Sequence, residues 1–222
     1  MARHLISILF FIFQTTNIYG NTLSYDLDFD SKEAYSQLTY GGVGLLMTPT
    51  ARFLEDGNLT FGVSTVEPYN SLYASVQIFP WMEGVVRYTE IETLPYYAGN
   101  PQSYKDKAFD IKFKLIDEGK YLPQLALGIT DFGGSSLFAT EYLVANKRIN
   151  NFDFSIGMGW GRLAKRNQIN NPKGWFTDTY PRNIQFGQKA GTANFGRLFS
   201  GDKAGIFAGF EYKSPIPRLK FQ

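Results

Sequence analysis

The sequence predicts an all-β, antiparallel fold, and within that class it favours a transmembrane β-barrel of the outer-membrane type over a soluble sandwich. Three observations carry the expectation. Apolar residues alternate with small or polar ones at the strand period of two through most of the chain. Turn residues break this alternation at short intervals, and no segment shows the period of an amphipathic helix. The chain also opens with the basic stretch Met1 to His4 and the apolar run Leu5 to Phe13. That order is the order of a secretory signal peptide, with cleavage expected after Gly20. The run falls short of the roughly 20 apolar residues that a membrane-spanning helix needs.

Residues 21–40 are polar and acidic-aromatic, without a clear period. Asp26, Asp28 and Asp30 look like the opening of a calcium loop, but Ser31 and Gln37 stand where Gly and Glu are required, so no metal is expected. The cluster Gly41-Gly42-Val43-Gly44 lacks the spacing of phosphate-binding loops and is read as a tight turn into the first barrel strand. Pro49 supports this by pushing Thr48 into extended geometry. From Asn58 to Ser64, Leu59, Phe61 and Val63 alternate with Thr60, Gly62 and Ser64. From Tyr73 to Ile78, Ala74, Val76 and Ile78 alternate with Tyr73, Ser75 and Gln77, and a weaker strand follows over Val85 to Glu90. Phe109, Ile111, Phe113 and Leu115 face away from Asp110, Lys112 and Lys114. Leu125, Leu127 and Ile129 oppose Gln124, Ala126, Gly128 and Thr130. Further strands are expected over Phe138 to Ala145, Phe152 to Trp160 and Lys203 to Tyr212.

What the apolar faces pack against decides the architecture. A soluble sandwich buries them in a core, whereas an outer-membrane barrel turns them to lipid and keeps a polar interior. Aromatic residues recur near strand ends at Phe79, Trp81, Tyr88, Tyr142, Trp160 and Tyr212. Short turns alternate with longer loops, notably 92–107 and 161–190. Both features fit the barrel.

Composition removes most chemistry. With 22 Lys and Arg against 20 Asp and Glu, no nucleic-acid partner is expected. The absence of cysteine rules out disulfides, thiol nucleophiles and thiolate zinc sites, and makes a lipid anchor on cysteine unexpected. Cleavage after Gly20 would remove His4, the only histidine, and with it any Ser-His-Asp arrangement. Paired carboxylates are the remaining catalytic route. Glu90 and Glu92 share a strand face, and Glu141 is a further candidate, but ordinary strand-end acids are the better reading. No enzyme and no cofactor is expected. The alternating Gly157, Gly159 and Gly161 are read as a bend or a crowded interior.

The segment 161–190 is the best binding candidate. Arg162, Lys165, Arg166, Lys173, Arg182 and Lys189 face one acid, Asp178, and lie among Trp175, Phe176, Tyr180 and Phe186. Aromatic faces stack on sugar rings, and cations pair with acidic sugars or phosphates. Polysaccharide contact is therefore assigned to Arg162, Lys165, Arg166, Lys173, Trp175, Tyr180 and Arg182. A plain polar loop held by lipopolysaccharide phosphates is the competing account.

The segment from Gly41 to Arg52, GGVGLLMTPTAR, with Asp56-Gly57 following, resembles the N-terminal signature of the YjbH-like family. Its structural residues are Gly41, Gly42, Gly44, Thr48, Pro49, Thr50, Arg52 and Gly57. The resemblance continues through QIFPWMEG at 77–84, GITDFGG at 128–134 and GMGWG at 157–161. It implies an outer-membrane β-barrel domain over 41–222, taking part in exopolysaccharide or capsule biosynthesis and export without catalysis. The implied partners are outer-membrane lipid and lipopolysaccharide, exopolysaccharide and other export-system proteins. Members of the family are typically several times longer, so the chain is read as an N-terminal portion and the barrel as incomplete. A soluble periplasmic β-sandwich that binds carbohydrate is the alternative.

Overall fold

The computed structural model describes residues 35–176, 198–216 and 219–222. Residues 1–20, expected to be a signal peptide, the acidic stretch with Asp26, and the loop residues Tyr180 and Arg182 lie outside the described residues. The described fold is all-β and antiparallel. Two short strands, β1 (Gly44–Leu45) and β2 (Thr48–Pro49), make a hairpin of their own. The main sheet follows as a meander: β3 (Leu59–Val66), β4 (Tyr69–Phe79), β5 (Met82–Pro95), β6 (Ser103–Ile116), β7 (Gln124–Phe132), β8 (Thr140–Ile149) and β9 (Phe152–Gly159). β9 pairs with β11 (Lys203–Lys213), whose far side carries the short strands β10 (Gln168–Asn170) and β12 (Lys220–Phe221).

Neighbours in sequence are neighbours in space, because two-residue turns at Glu67-Pro68, Pro80-Trp81 and Asn150-Asn151 close hairpins directly. The expected loop 92–107 shrinks to 96–102, since β5 and β6 pair as far as Pro95 and Ser103. Two short 3-10 helices, Gly161–Lys165 and Pro172–Trp175, interrupt the connection from β9 to β11. Among the described residues no helix is long and apolar enough to cross a membrane.

The sheet has the polarity of a soluble one turned inside out. On one face lie Gln77, Glu83, Arg87, Asp106, Lys112, Asn146 and Asp153, all buried. On the other, Phe61 is 72% exposed, Val63 79% and Ile156 60%, with Leu72, Val86 and Phe109 also bare. This follows from the period of two, which sends the apolar set of every strand to one side. Near the Pro80-Trp81 end, Phe79, Trp81 and Phe113 stack in a row. Phe152, Phe154, Phe210 and Tyr212 cluster beside the Asn150-Asn151 turn. Tyr142 and Trp160, grouped with these by sequence, instead turn inward. Tyr142 covers the bare backbone of Gly128, and the Trp160 indole donates to Asn171 Oδ1 at 2.7 Å.

The charged face is covered by the chain's own residues 36–54, a strap that includes the β1–β2 hairpin. This corrects the expectation that Gly41 to Gly44 turn directly into the first strand of the sheet. The strap meets every strand of the meander, from Ser64 on β3 to Glu211 on β11. These two end contacts fix the curvature. Strands lie about 4.8 Å apart, so the seven steps from β3 to β11 would span roughly 34 Å in a flat sheet. The strap residues that touch those ends, Thr39 and Ser36, are at most about 10 Å apart along the chain. The sheet is therefore strongly curled, with the strap in its hollow. Among the described residues β3 and β11 are not paired with each other, so the ladder remains open.

Candidate functional site

The strap has little regular pairing of its own, so its backbone groups need partners from the wall. Wall side chains supply them. Glu83 Oε1 accepts from Val43 N at 3.0 Å, Asn146 Oδ1 from Ala51 N at 2.7 Å, and Gln77 Oε1 from Leu54 N at 3.1 Å. Lys112 serves both the strap and the wall here. Its Nζ reaches Val43 O at 3.1 Å, Arg52 O at 2.8 Å and Glu83 Oε2 at 2.9 Å.

Arg52 is the centre of the site. Nε and Nη2 donate to Asp153 at 2.6 and 2.8 Å, a bidentate pair. Nη1 lies 2.7 Å from both Gln124 Oε1 and Glu118 Oε2. Asn146 ties the cluster to β9 by donating to Asp153 and Ser155. Beside it Ala51 and Phe53 pack on Ala126, Tyr142 and Val144, and the Lys112 ammonium sits 4.7 Å from the Phe53 ring centre.

The glycines of the strap answer to close approach. Gly41 and Gly42 have φ of +93° and +82°. A Cβ at Gly41 would meet the Tyr73 ring at 2.7 Å, and one at Gly42 would collide with Glu83 Oε1. Gly57, with φ of +76°, turns the chain into β3. Thr48 and Pro49 pair with Leu45 and Gly44, and Thr50 Oγ1 lies 3.5 Å from Val43 O. Gly157 and Gly159 face Phe207 and Leu163, a crowded interior as expected.

Glu118, in the loop between β6 and β7, latches the strap from outside the strands. Partial burial pushes its carboxyl up, but the Arg148 backbone N–H, Arg52 and Lys147 outweigh this and hold it below its ordinary 4.5. A depressed folded value means stabilisation that is present above the unfolded value and lost as pH falls through the folded one. Below about pH 4.5 the latch should weaken, and Glu118→Gln should remove that part of the acid sensitivity in a thermal melt taken across pH 3 to 6.

The opposite end of the hollow holds two guanidiniums against aromatic rings. Arg87, paired with Asp110 at 2.9 Å, lies 5.5 Å from the Tyr40 ring centre and 5.4 Å from that of Phe138. Arg162 lies 4.8 Å from Tyr40 and 5.3 Å from Phe138, and donates to Tyr40 Oη at 2.7 Å. Arg162 thus turns into the hollow. Lys165, Arg166 and Trp175 are exposed, and Lys173 Nζ donates to Leu198 O at 2.9 Å. Glu90 is held by Ser103 and Lys105, Glu92 by Asn70, and Glu141 accepts from Phe199 N.

Arg52, Asn146 and Asp153 were missed as a unit. Asp153 alternates within the expected strand 152–160, Asn146 falls one residue beyond the expected strand 138–145, and Arg52 is marked only as an arginine in the glycine-rich segment.

Together these features define an antiparallel β protein of inverted polarity, with ions and amides inside and hydrocarbon outside. The chain belongs to the YjbH family, whose profile, described as "Exopolysaccharide biosynthesis protein YbjH", matches residues 36–222. The match therefore takes in the strap from its first contact with the wall. The chain is also 40% identical over 225 residues to the "Uncharacterized lipoprotein YjbH" of Escherichia coli strain K12. That alignment covers 99% of this chain and 31% of the relative, so the chain spans about a third of that protein's length. The 222 residues here contain no cysteine. No solved structure matches.

Proposed function

We propose that these strands form wall of an exported outer-membrane β-barrel that takes part, without catalysis, in exopolysaccharide or capsule production and export. The inverted polarity of the sheet carries the reading. Bilayer hydrocarbon tolerates a row of bare Phe, Val and Ile and requires paired backbone, which the hairpins provide within the ladder and which further pairing at its open β3 edge would complete. The stacked Phe79, Trp81 and Phe113 suit a membrane–water interface. A soluble carbohydrate-binding sandwich would need a second layer over the apolar face, and no described element covers it.

Membrane fractionation and electrophoresis of unboiled and boiled samples test the reading. Outer-membrane recovery with a heat-dependent shift supports it, and recovery in the soluble periplasm overturns it. Ile156→Arg, on the bare face, should cost about 2–4 kcal/mol if that position lies near the bilayer midplane. In a soluble protein the same change at an exposed site should cost under about 0.5 kcal/mol.

For polysaccharide contact, the proposed surface is Lys165, Arg166, Lys173 and Trp175, continued by Tyr180 and Arg182, with Arg162 bracing its base. Replacing Lys165, Arg166 and Trp175 together by Ala should lower exported polysaccharide while the heat-dependent shift is retained. Undiminished export would count against the loop.

A further inference from the structure

Resting on the barrel reading, we propose that residues 36–54 are a built-in plug that closes the hollow of the sheet to ions and small solutes. The fit is close. Between the strap and the wall at Arg52, Asn146, Asp153 and Glu211 there remains a cavity of about 10 Å³, no more than the room one water requires. The strap also reaches both ends of the curled sheet, through Ser36 to Glu211 and Thr39 to Ser64, and through Val43, Ala51, Arg52 and Leu54 it meets the strands between them.

The chemistry of the contact makes the plug removable. A strap bound mainly by apolar packing would leave a dry, sticky wall on departure. Here the wall offers Gln77, Glu83, Lys112, Gln124, Asn146 and Asp153, groups that water can satisfy as readily as the strap does. Removal would therefore expose a hydrated, charged channel lining rather than a hydrophobic one. Two hubs hold the closed state, the Arg52 guanidinium on Asp153 and the Lys112 ammonium beneath the carbonyls of Val43 and Arg52.

The absence of native cysteine permits a clean test. Ala51→Cys, at a fully buried strap position, and Trp175→Cys, at an exposed one, are labelled in outer-membrane fractions with a bulky water-soluble thiol reagent. Labelling at position 51 should be at least about 100-fold slower than at 175, and adding Arg52→Ala should raise it at least about 10-fold. Asn146→Ala, which removes the acceptor for Ala51 N together with the donors to Asp153 and Ser155, serves if Arg52→Ala does not fold. In planar bilayers the unmodified chain should show no steady conductance with potassium chloride, and the released variants should conduct. Equal labelling at 51 and 175, or an open pore in the unmodified chain, overturns the plug. So does a released strap without conductance, and the heat-dependent shift shows in each case whether the barrel reading itself still stands.

Discussion

Arg52→Ala should lower the stability of the folded chain by about 3–5 kcal/mol, the cost of leaving a buried carboxylate without its partner. Asp153 would keep the hydrogen bond from Asn146 and a distant Arg148 at 3.9 Å, which places the loss toward the lower part of that range. The strap would lose the ionic and hydrogen-bonded ties that Arg52 makes to β7, β9 and the Glu118 loop at once, because one guanidinium makes all three. Arg52→Lys should restore only part of the stability, since an ammonium cannot reproduce the two parallel bonds to Asp153. Urea unfolding of the refolded chain in detergent micelles measures both variants. Losses below about 1 kcal/mol would show that the strap is not held through this residue.

Lys112→Met should be comparably damaging, by about 3–5 kcal/mol, although its side chain is of similar length and needs no more space. Glu83 loses its counter-ion, and the carbonyls of Val43 and Arg52 each lose a donor. The uncompensated carboxylate is the larger part of the cost, because hydrogen bonds between neutral groups are individually worth only about 1 kcal/mol. Adding Glu83→Gln should therefore recover more than half the loss, since the amide oxygen can still accept from Val43 N. The double-mutant cycle separates the two contributions. A double variant no more stable than Lys112→Met alone would place the cost in the strap carbonyls instead.

The strands were legible because their information is local. Phe109 to Leu115 alternates so regularly that the side on which Asp110 and Lys112 lie could be read directly, and the structure pairs them with Arg87 and Glu83 on β5. The glycine-rich segment was legible only as a pattern that tolerates no side chain. What crowds Gly41 and Gly42 is Tyr73, Val85 and Glu83, and nothing near those glycines in sequence announces them. The strap itself has no period, because its partners are scattered over all the strands rather than arranged along one. Arg162 shows the converse limit of local reading. A cation among aromatics was read as a surface for sugars, yet the nearest rings, Tyr40 and Phe138, belong to the protein and draw the guanidinium inward. Tyr142 and Trp160 failed similarly, since position near a strand end does not say which face a ring takes.

The contacts of the strap also dictate an order of assembly. Each hairpin of the meander joins neighbours and can close as soon as its own residues are available. Ala51 must wait for Asn146, 95 residues later, Arg52 for Asp153, 101 residues later, and Ser36 for Glu211, 175 residues later. The earliest of these segments to be synthesised is consequently the last to settle. Until β9 and β11 arrive, Arg52 stays hydrated, and premature docking on an unfinished sheet gains few of its bonds. The strap thus works as a keystone: its seating registers that the strands on both flanks are in place.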